Sequence, residues 1–213
     1  PFDQIGLYDG KGPLDIGFSL PHEDPQQEAT TYPVEQRVYK SNGASTLQSS
    51  GEVEFHAIHG HYHYSSFAST ELWKSNKWGS KLGSGPLRTN QKVSFCIADI
   101  RIDAWGEQGD GPRTYYAPDC LFPASVDENF SHFKQGLTTG WADVYDWYIP
   151  DQYIEVTGIP NGYYRLEFCA DPSHEIEEED EDNNCLIHHI KLENIGTPQQ
   201  DVDVLGVIDE CGN

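Results

Sequence analysis

Residues 51–64 read GEVEFHAIHGHYHY, an alternating run that predicts a β-strand and contains four of the nine histidines of the chain. Side chains of an extended segment alternate between its two faces, so we expect His59, His61 and His63 to project to one side. His56 falls outside this spacing. It either orients a ligand or substrate through a hydrogen bond or is a buried histidine whose hydrogen bond is satisfied.

Three neutral imidazoles on one strand face suit Cu(II) or Zn(II) as a ligand set. The same spacing also occurs in zinc enzymes of the carbonic anhydrase type and in cupin-like barrels. An exposed polar strand face that binds no metal is the alternative interpretation, but clusters this dense are rare in average compositions. The histidines therefore predict a metal site.

Further alternating runs predict that strands dominate the rest of the chain. Glycine and proline, with 20 and 13 copies, occur throughout and separate these runs by turns. The runs are KVSFCIADIRI (92–102), QYIEVTGI (152–159), YYRLEFCA (163–170) and CLIHHIKL (185–192). The expected fold is mostly β, with long loops and few short helices.

Helical periodicity is confined to two stretches. In SVDENFSHFKQGL, residues 125–137, the apolar residues Phe130, Phe133 and Leu137 are spaced i, i+3, i+7, which predicts a short helix. WADVYDWY, residues 141–148, is the second candidate helix.

The connections between these elements carry their own signals. Pro160-Asn161-Gly162 separates two alternating runs and predicts a tight hairpin connection. Residues 101–128 are rich in turn formers, and a loop of that length is usually functional or disordered. We expect one domain over residues 1–195, followed by a polar tail or linker to a further module over 196–213.

The net charge of the chain limits the classes of partner that it can be expected to bind. Thirteen basic residues against 35 acidic ones give a net charge of −22, which repels nucleic acid and anionic lipid and favours cationic partners or calcium. No run of about eighteen apolar residues occurs, so no membrane span is expected.

The cysteines favour disulfides over a zinc site because none of them has C-x-x-C spacing. If the acidic run EIEEEDEDNN, residues 175–184, joins two neighbouring strands, Cys169 and Cys185 can pair across them. Cys211, close to the end, is the expected odd cysteine. The five cysteines are Cys96, Cys120, Cys169, Cys185 and Cys211.

Four motifs in a fixed order resemble one family. They are FHAIHGHYHY, NQKVSFCIADI, GLTTGWADVYDWYIPDQYIEVTGIPNGYYRLEF and ADPSHEIEEEDEDNNC. They are similar to the catalytic domain of the lysyl oxidases, in which a His-x-His-Tyr-His copper motif precedes a Lys-Ala-Ser-Phe-Cys stretch, a Gly-Leu segment ending in Asp-x-Tyr, and an Asn-Pro-Ser segment closing in Asn-Asn. Order and spacing agree over roughly residues 30–192. The resemblance implies a lysyl-oxidase-like β-sandwich core.

The resemblance also assigns the residues of an active site. It places the family's copper ligands on His59, His61 and His63. It implies a lysine tyrosylquinone cofactor, formed from a lysine and a tyrosine, which fall on Lys92 and Tyr145. Asp143, two positions before that tyrosine, is the implied general base that removes the substrate α-proton.

A calcium site and a second disulfide are implied in the same way. The calcium ligands of the family fall on Glu178, Asp180, Asn183 and Asn184, with Asp15 as a weaker match, and hard oxygen ligands suit calcium. The alternative for the acidic run is a solvated loop. The family's disulfide after its Phe-Cys pair falls on Cys96 and Cys120 and would anchor the long loop.

Two departures from the family pattern lie near the implied cofactor. Ile58 stands where the family has a cysteine, and Trp141 or Ala142 replaces another, so two family disulfides are missing. YDWYIPDQY also lacks the family's Asp-Ile-Asp-Cys-Gln-Trp run. Altered or absent activity is a consequence to be tested.

The leading hypothesis is a secreted, extracellular, copper-dependent amine oxidase. It would oxidise a primary amine, such as a peptidyl lysine or a small cationic amine, to an aldehyde and release ammonia and hydrogen peroxide. The alternative is a non-catalytic extracellular module that keeps the fold and metal site and takes part in matrix contacts or self-assembly. A zinc hydrolase built on the three histidines is the third and less favoured hypothesis.

Overall fold

The computed structural model describes residues 3–6, 13–19, 31–90, 92–102, 120, 132–146 and 148–208. The chain divides into two compact units. The first unit comprises Pro1–Ser65, Ser94–Asp146 and His174–Glu178, and the second comprises Ser66–Val93, Trp147–Ser173 and Glu179–Asn213. Within the described ranges, no helix combines the length and the apolar character needed to cross a membrane.

Strands dominate both units, so the mostly-β prediction is confirmed. The strands are β1 Asp3–Gly6, β2 Leu14–Ser19, β3 Thr31–Tyr39, β4 Ser45–His56, β5 His61–Tyr64, β6 Ala68–Lys74, β7 Arg88–Thr89, β8 Arg101–Ile102, β9 His132–Leu137, β10 Trp141–Tyr145, β11 Gly162–Ala170, β12 Cys185–Glu193 and β13 Asp201–Ile208. A short 3-10 helix spans Glu181–Asn183.

The first unit contains two antiparallel sheets, with strand orders β1-β10-β8 and β5-β4-β3-β2-β9. Strand β3 illustrates how the larger sheet is built, because Tyr32, Val34 and Gln36 are buried while their neighbours in sequence are exposed. This period of two places one face of the strand in the core. Val53 on β4 and Leu137 on β9 are fully buried members of the same unit.

The second unit is built on one antiparallel sheet of order β13-β12-β11-β6-β7. The predicted strands at 163–170 and 185–192 form β11 and β12, which pair with Cys169 directly opposite Cys185. The predicted disulfide between these cysteines is present. The core of the unit is formed by Leu72, Ile159, Tyr164, Ile190 and Leu192.

Both helix predictions are wrong where the structure describes them. Residues 132–137 form β9, which pairs with β2, and residues 141–145 form β10, which pairs with β1 and β8. A helical pattern of a few apolar residues is weak, and inter-strand hydrogen bonding to partners distant in sequence outweighs it. Residues 125–131 of the first stretch, Phe130 among them, lie outside the described residues.

Two strand predictions are also wrong. Residues 92–100 form no strand apart from an isolated bridge at Phe95, and only 101–102 are in β8. Residues 152–159 join no sheet; instead Ile154 and Val156 pack against the core of the second unit. The hairpin expected at 160–162 is therefore absent, because β11 pairs with β12 and β6 rather than with this segment.

The ends of the long loop and the tail are partly described. Cys120 forms the disulfide with Cys96 that the family resemblance implied; residues 103–119 and 121–128 lie outside the described residues. In the tail, residues 201–208 form β13 at the edge of the second unit's sheet, paired with β12. Cys211 lies outside the described residues, and the domain boundary after residue 195 stays a prediction.

Candidate metal centre and cofactor site

The histidine-rich stretch is a β-hairpin rather than the single strand that its alternation predicted. Strand β4 ends at His56, β5 begins at His61, and the two residues are paired directly. In the turn, Gly60 has a φ of 71°, a left-handed conformation that glycine adopts without steric cost. The amides of His59 and Gly60 both donate to the carbonyl of His56, at 3.0 and 2.8 Å. Alternation failed here because a short turn between two strands can preserve an alternating pattern.

The hairpin brings all four imidazoles into one cluster. His61 and His63 lie on the same face of β5, with their Nε2 atoms 2.8 Å apart. His59 approaches both from the turn, with ring centroids 5.5 and 5.3 Å away. His56 stacks on His63 at 5.0 Å. The three histidines of the predicted site are therefore neighbours, and His56 joins them.

Residues 94–96, which follow Lys92 closely in sequence, are hydrogen-bonded to β5. Ser94 Oγ lies 3.4 Å from Nδ1 of His63, and both side chains are buried. The next residue, Phe95, exchanges two backbone hydrogen bonds with Tyr64, at 2.7 and 3.1 Å. This isolated bridge holds residues 94–96 alongside the histidine strand.

Tyr145 is held at the far end of that segment. Its hydroxyl donates to the carbonyl of Cys96 at 3.0 Å and accepts from the amide of Cys96 at 3.2 Å. Its ring meets Phe95 edge-on at 4.7 Å. Residues 94–96 therefore contact both the histidine strand and the predicted cofactor tyrosine, all within the first unit.

Asp143 and Tyr145 share one face of β10, because they are two residues apart on a strand. The Asp143 carboxyl is almost completely buried, with 3% of the residue exposed. Burial and then the negative charge of Asp143 raise the pKa of Tyr145 well above its ordinary value, and its hydrogen bond to the Cys96 backbone opposes them. The tyrosine is therefore kept as a neutral phenol.

Lys92 belongs to the second unit, whereas Tyr145 belongs to the first. Its side chain is half-buried, and its backbone amide donates to Asn90 Oδ1 at 3.0 Å. The alternation of 92–102 predicted that Lys92 begins a strand, and this prediction is wrong. The link between Lys92 and Tyr145 stays a prediction.

Two buried polar residues that sequence reasoning missed support this site. Gln135 on β9 donates from Nε2 to the carbonyl of Tyr62 at 3.2 Å and accepts from the amide of Ile97 at 3.1 Å. Asp99 accepts from the backbone amide and the hydroxyl of Thr138, both at 2.7 Å. A buried glutamine in a strand carries no local sequence signal, because its partners lie 38 and 73 residues away.

The predicted calcium ligands are divided between the units. Asp15 and Glu178 belong to the first, and Asp180, Asn183 and Asn184 to the second. Asp180 caps the 3-10 helix by accepting from the amide of Asp182. Asp15 is buried in β2, where it accepts from the Tyr39 hydroxyl at 2.9 Å and lies 3.8 Å from the Arg37 guanidinium. This calcium set stays a prediction.

Fold and site together define a mostly-β protein in which a histidine hairpin and a half-buried tyrosine, Tyr145, both contact one segment, residues 94–96. The sequence model of the lysyl oxidase family matches residues 34–198. Among curated relatives, lysyl oxidase homolog 3B of Danio rerio and lysyl oxidase homolog 2 of Gallus gallus are each 32% identical over 133 residues, and lysyl oxidase homolog 3 of Homo sapiens is 31% identical over 133 residues. Each alignment covers 62% of this chain and 14% of the relative. The chain belongs to the lysyl oxidase family, and it matches about 14% of the length of these curated relatives.

Proposed function

We propose that this chain is a copper-dependent amine oxidase of the lysyl oxidase type. It oxidises primary amines, such as the side chain of a peptidyl lysine, to aldehydes and releases ammonia and hydrogen peroxide. The observation that carries the proposal is the contact of residues 94–96 with both His63 and Tyr145. A metal site and a cofactor tyrosine that must act together are expected to share such a rigid support.

The donor set of the hairpin fits copper, because imidazole nitrogens are good ligands for Cu(II) and four of them cluster there. His59, His61 and His63 would hold the ion. Copper and a quinone formed from Lys92 and Tyr145 would supply the redox chemistry with dioxygen.

The other residues of the site bind, orient and exchange protons. The Asp143 carboxylate accepts the proton from the carbon that bears the substrate amine, and its burial keeps bulk water away from that step. The backbone of Cys96 fixes the Tyr145 hydroxyl, and the Cys96–Cys120 disulfide fastens Cys96 in turn.

Secretion is part of the same proposal. Two disulfides, Cys96–Cys120 and Cys169–Cys185, fit an oxidising compartment. The net charge of −22 favours cationic amine substrates, among them basic segments of extracellular proteins.

Peptide mass spectrometry of copper-replete protein, with and without phenylhydrazine, tests the proposal. We expect a covalent link between the peptides carrying Lys92 and Tyr145 and a hydrazine adduct on that linked pair. Asp143→Asn should keep the link but lose peroxide release with an amine substrate, whereas Tyr145→Phe should lose both. Two unlinked peptides from copper-replete wild-type protein would contradict the proposal and favour the non-catalytic module.

A further inference from the structure

The last strand of the second unit's sheet has an accessible edge. Strand β13, Asp201–Ile208, pairs with β12 on one side, and no further strand of the described residues pairs with its other side. An edge strand presents unpaired backbone amides and carbonyls, and proteins usually protect it with proline, lysine or a bulge. This strand contains neither proline nor lysine. Its bulge falls at Leu205, where the pairing with β12 shifts, so Asp201–Val204 remains a regular run.

One face of β13 is apolar and exposed. Val202 and Val204 lie opposite Leu192 and Ile190 of β12, so they point to the same side as these two core residues. Beyond the bulge, Val207 returns to this side, because its partner on β12 belongs to the same alternating set. The three valines are nevertheless 49, 64 and 60% exposed. The apolar face of the sheet therefore extends past its buried part, and an added strand with apolar side chains on this side would cover it.

The opposite face of the same strand is acidic. Asp201 and Asp203 lie opposite Glu193 and Lys191 of β12. The ammonium of Lys191 lies 2.6 Å from a carboxylate oxygen of Glu193. Three carboxylates thus share one ammonium, and the edge carries an excess of negative charge. Lysine or arginine side chains on the matching face of an added strand would lie beside that charge.

We propose that the outer edge of β13 binds an extended basic segment of another protein, which adds to this sheet as a further strand. The sequence of that segment would alternate apolar residues, which lie beside the valines, with lysine or arginine, which lie beside the aspartates. The net charge of −22 attracts the same partner over longer distances. The site lies wholly within the second unit and does not depend on the proposed oxidase activity.

A second copy of this chain is a less suitable occupant of the edge. Two β13 strands paired antiparallel about a two-fold axis would turn their acidic faces to the same side of the sheet. Asp201 and Asp203 of both copies would then lie close together, and neighbouring like charges are destabilising. Charge therefore favours the basic segment.

Fluorescence anisotropy of the 213-residue chain, prepared without copper, with a labelled peptide of alternating valine and lysine tests the proposal. The peptide has eight residues, the length of β13. We expect saturable binding that weakens as salt is added, and slower hydrogen exchange of the backbone amides in residues 201–208 of the complex. A peptide with four lysines followed by four valines has the same charge but cannot separate the two residue types between faces. It should bind at least about tenfold more weakly.

Two double variants separate the edge from the net charge. Asp201→Asn with Asp203→Asn should weaken binding of the alternating peptide about tenfold, because two opposed charge pairs are lost. Glu35→Gln with Glu52→Gln is the matched control, since it removes two exposed acidic residues of the first unit and changes the net charge equally. It should bind the peptide within about twofold of wild type.

Several results would overturn the proposal. Equal losses in the two double variants would mean that the net charge alone attracts the peptide. Equal affinity for the two peptides, unchanged exchange in residues 201–208, or no saturable binding would exclude strand addition. A concentration-dependent dimer that Val204→Lys dissociates would assign the edge to a second copy instead. None of these measurements involves copper or amine oxidation, so failure of this proposal and failure of the proposed function are distinguishable.

Discussion

Tyr145 is the residue whose chemistry depends most on partners distant in sequence. Its hydroxyl is bonded to the backbone of Cys96, 49 residues earlier, and its ring packs on Phe95. Burial and the charge of Asp143 raise its pKa. The segment WADVYDWY, which was predicted to be a helix, contains none of this information, since the partners come from other parts of the chain.

Replacement of Tyr145 by Phe should change the response of stability to alkaline pH. The unfolded chain loses the phenol proton near pH 10, whereas the folded protein retains it because the pKa of Tyr145 is raised. The unfolded state then binds fewer protons, so the free energy of unfolding falls as pH rises through and above about 10. Between about pH 9 and about pH 11, wild type should lose roughly 1 kcal/mol more stability than Tyr145→Phe.

Urea unfolding of copper-free protein, in which the tyrosine is unmodified, measures this difference. Tyr153→Phe removes an exposed tyrosine and should lose as much stability as wild type over the same range. Equal losses in wild type and Tyr145→Phe would contradict the prediction.

Gln135 supports the site through two hydrogen bonds with buried partners. Ile97 is fully buried and Tyr62 nearly so. Gln135→Ala removes the hydrogen bond to the Ile97 amide and the one to the Tyr62 carbonyl. Loss of these two hydrogen bonds should lower the free energy of unfolding by about 1–3 kcal/mol in total. Chemical denaturation measures the change, and Gln199→Ala, at an exposed loop position, should stay within about 0.5 kcal/mol of wild type. Similar stabilities for the two variants would show that Gln135 does not support the fold.

At the scale of elements, the histidine hairpin depends on its turn. Gly60 is the residue that lets β4 return as β5, with a φ of 71°, and a Cβ at this position would contact nothing within 4 Å. The cost of Gly60→Ala should therefore come from the backbone alone and should amount to about 1–2 kcal/mol. The free energy of unfolding and the Cu(II) affinity are the two measurements.

Gly85 is the matched control for this turn. A Cβ at Gly85 also contacts nothing within 4 Å, but its φ is not in the left-handed region. Gly85→Ala should leave stability within about 0.5 kcal/mol of wild type or raise it slightly. An unchanged stability in Gly60→Ala would mean that the turn tolerates a side chain and that its left-handed conformation is not required.

The elements also show where pattern reading succeeds. Strands β11 and β12 follow their alternating runs because each has a neighbouring strand on both sides and a well-formed core face. Residues 152–159 have a similar pattern but no partner strand, so Ile154 and Val156 reach the same core without joining the sheet. An alternating pattern indicates which side chains are buried, but it does not indicate whether the segment forms hydrogen bonds to a neighbouring strand.

At the scale of the whole molecule, the net charge of −22 is the property that acts over the longest range. Acidic protein draws cationic substrates by steering that salt screens within about 8–10 Å at moderate ionic strength. If the chain oxidises amines, kcat/KM for a peptide with several lysines should fall about tenfold between about 20 mM and about 500 mM NaCl. A simple monoamine should lose much less, because it carries one charge. Equal salt dependence for the two substrates would exclude steering by the net charge.

The amino-acid sequence was enough to predict the strand-rich class, the pairing of Cys169 with Cys185, and the residue types of the candidate site. It did so because alternation, cysteine placement and motif order are local or one-dimensional properties. The family resemblance added the Cys96–Cys120 disulfide and the assigned roles.

The three-dimensional structure was needed to show that the histidine stretch is a hairpin, that His56 joins its cluster, and that residues 94–96 contact both β5 and Tyr145. It also showed that the described parts of the two predicted helices are the strands β9 and β10. These outcomes depend on hydrogen bonds between strands far apart in sequence. No local pattern records such pairings, because the free energy that selects them arises only when the distant segments meet.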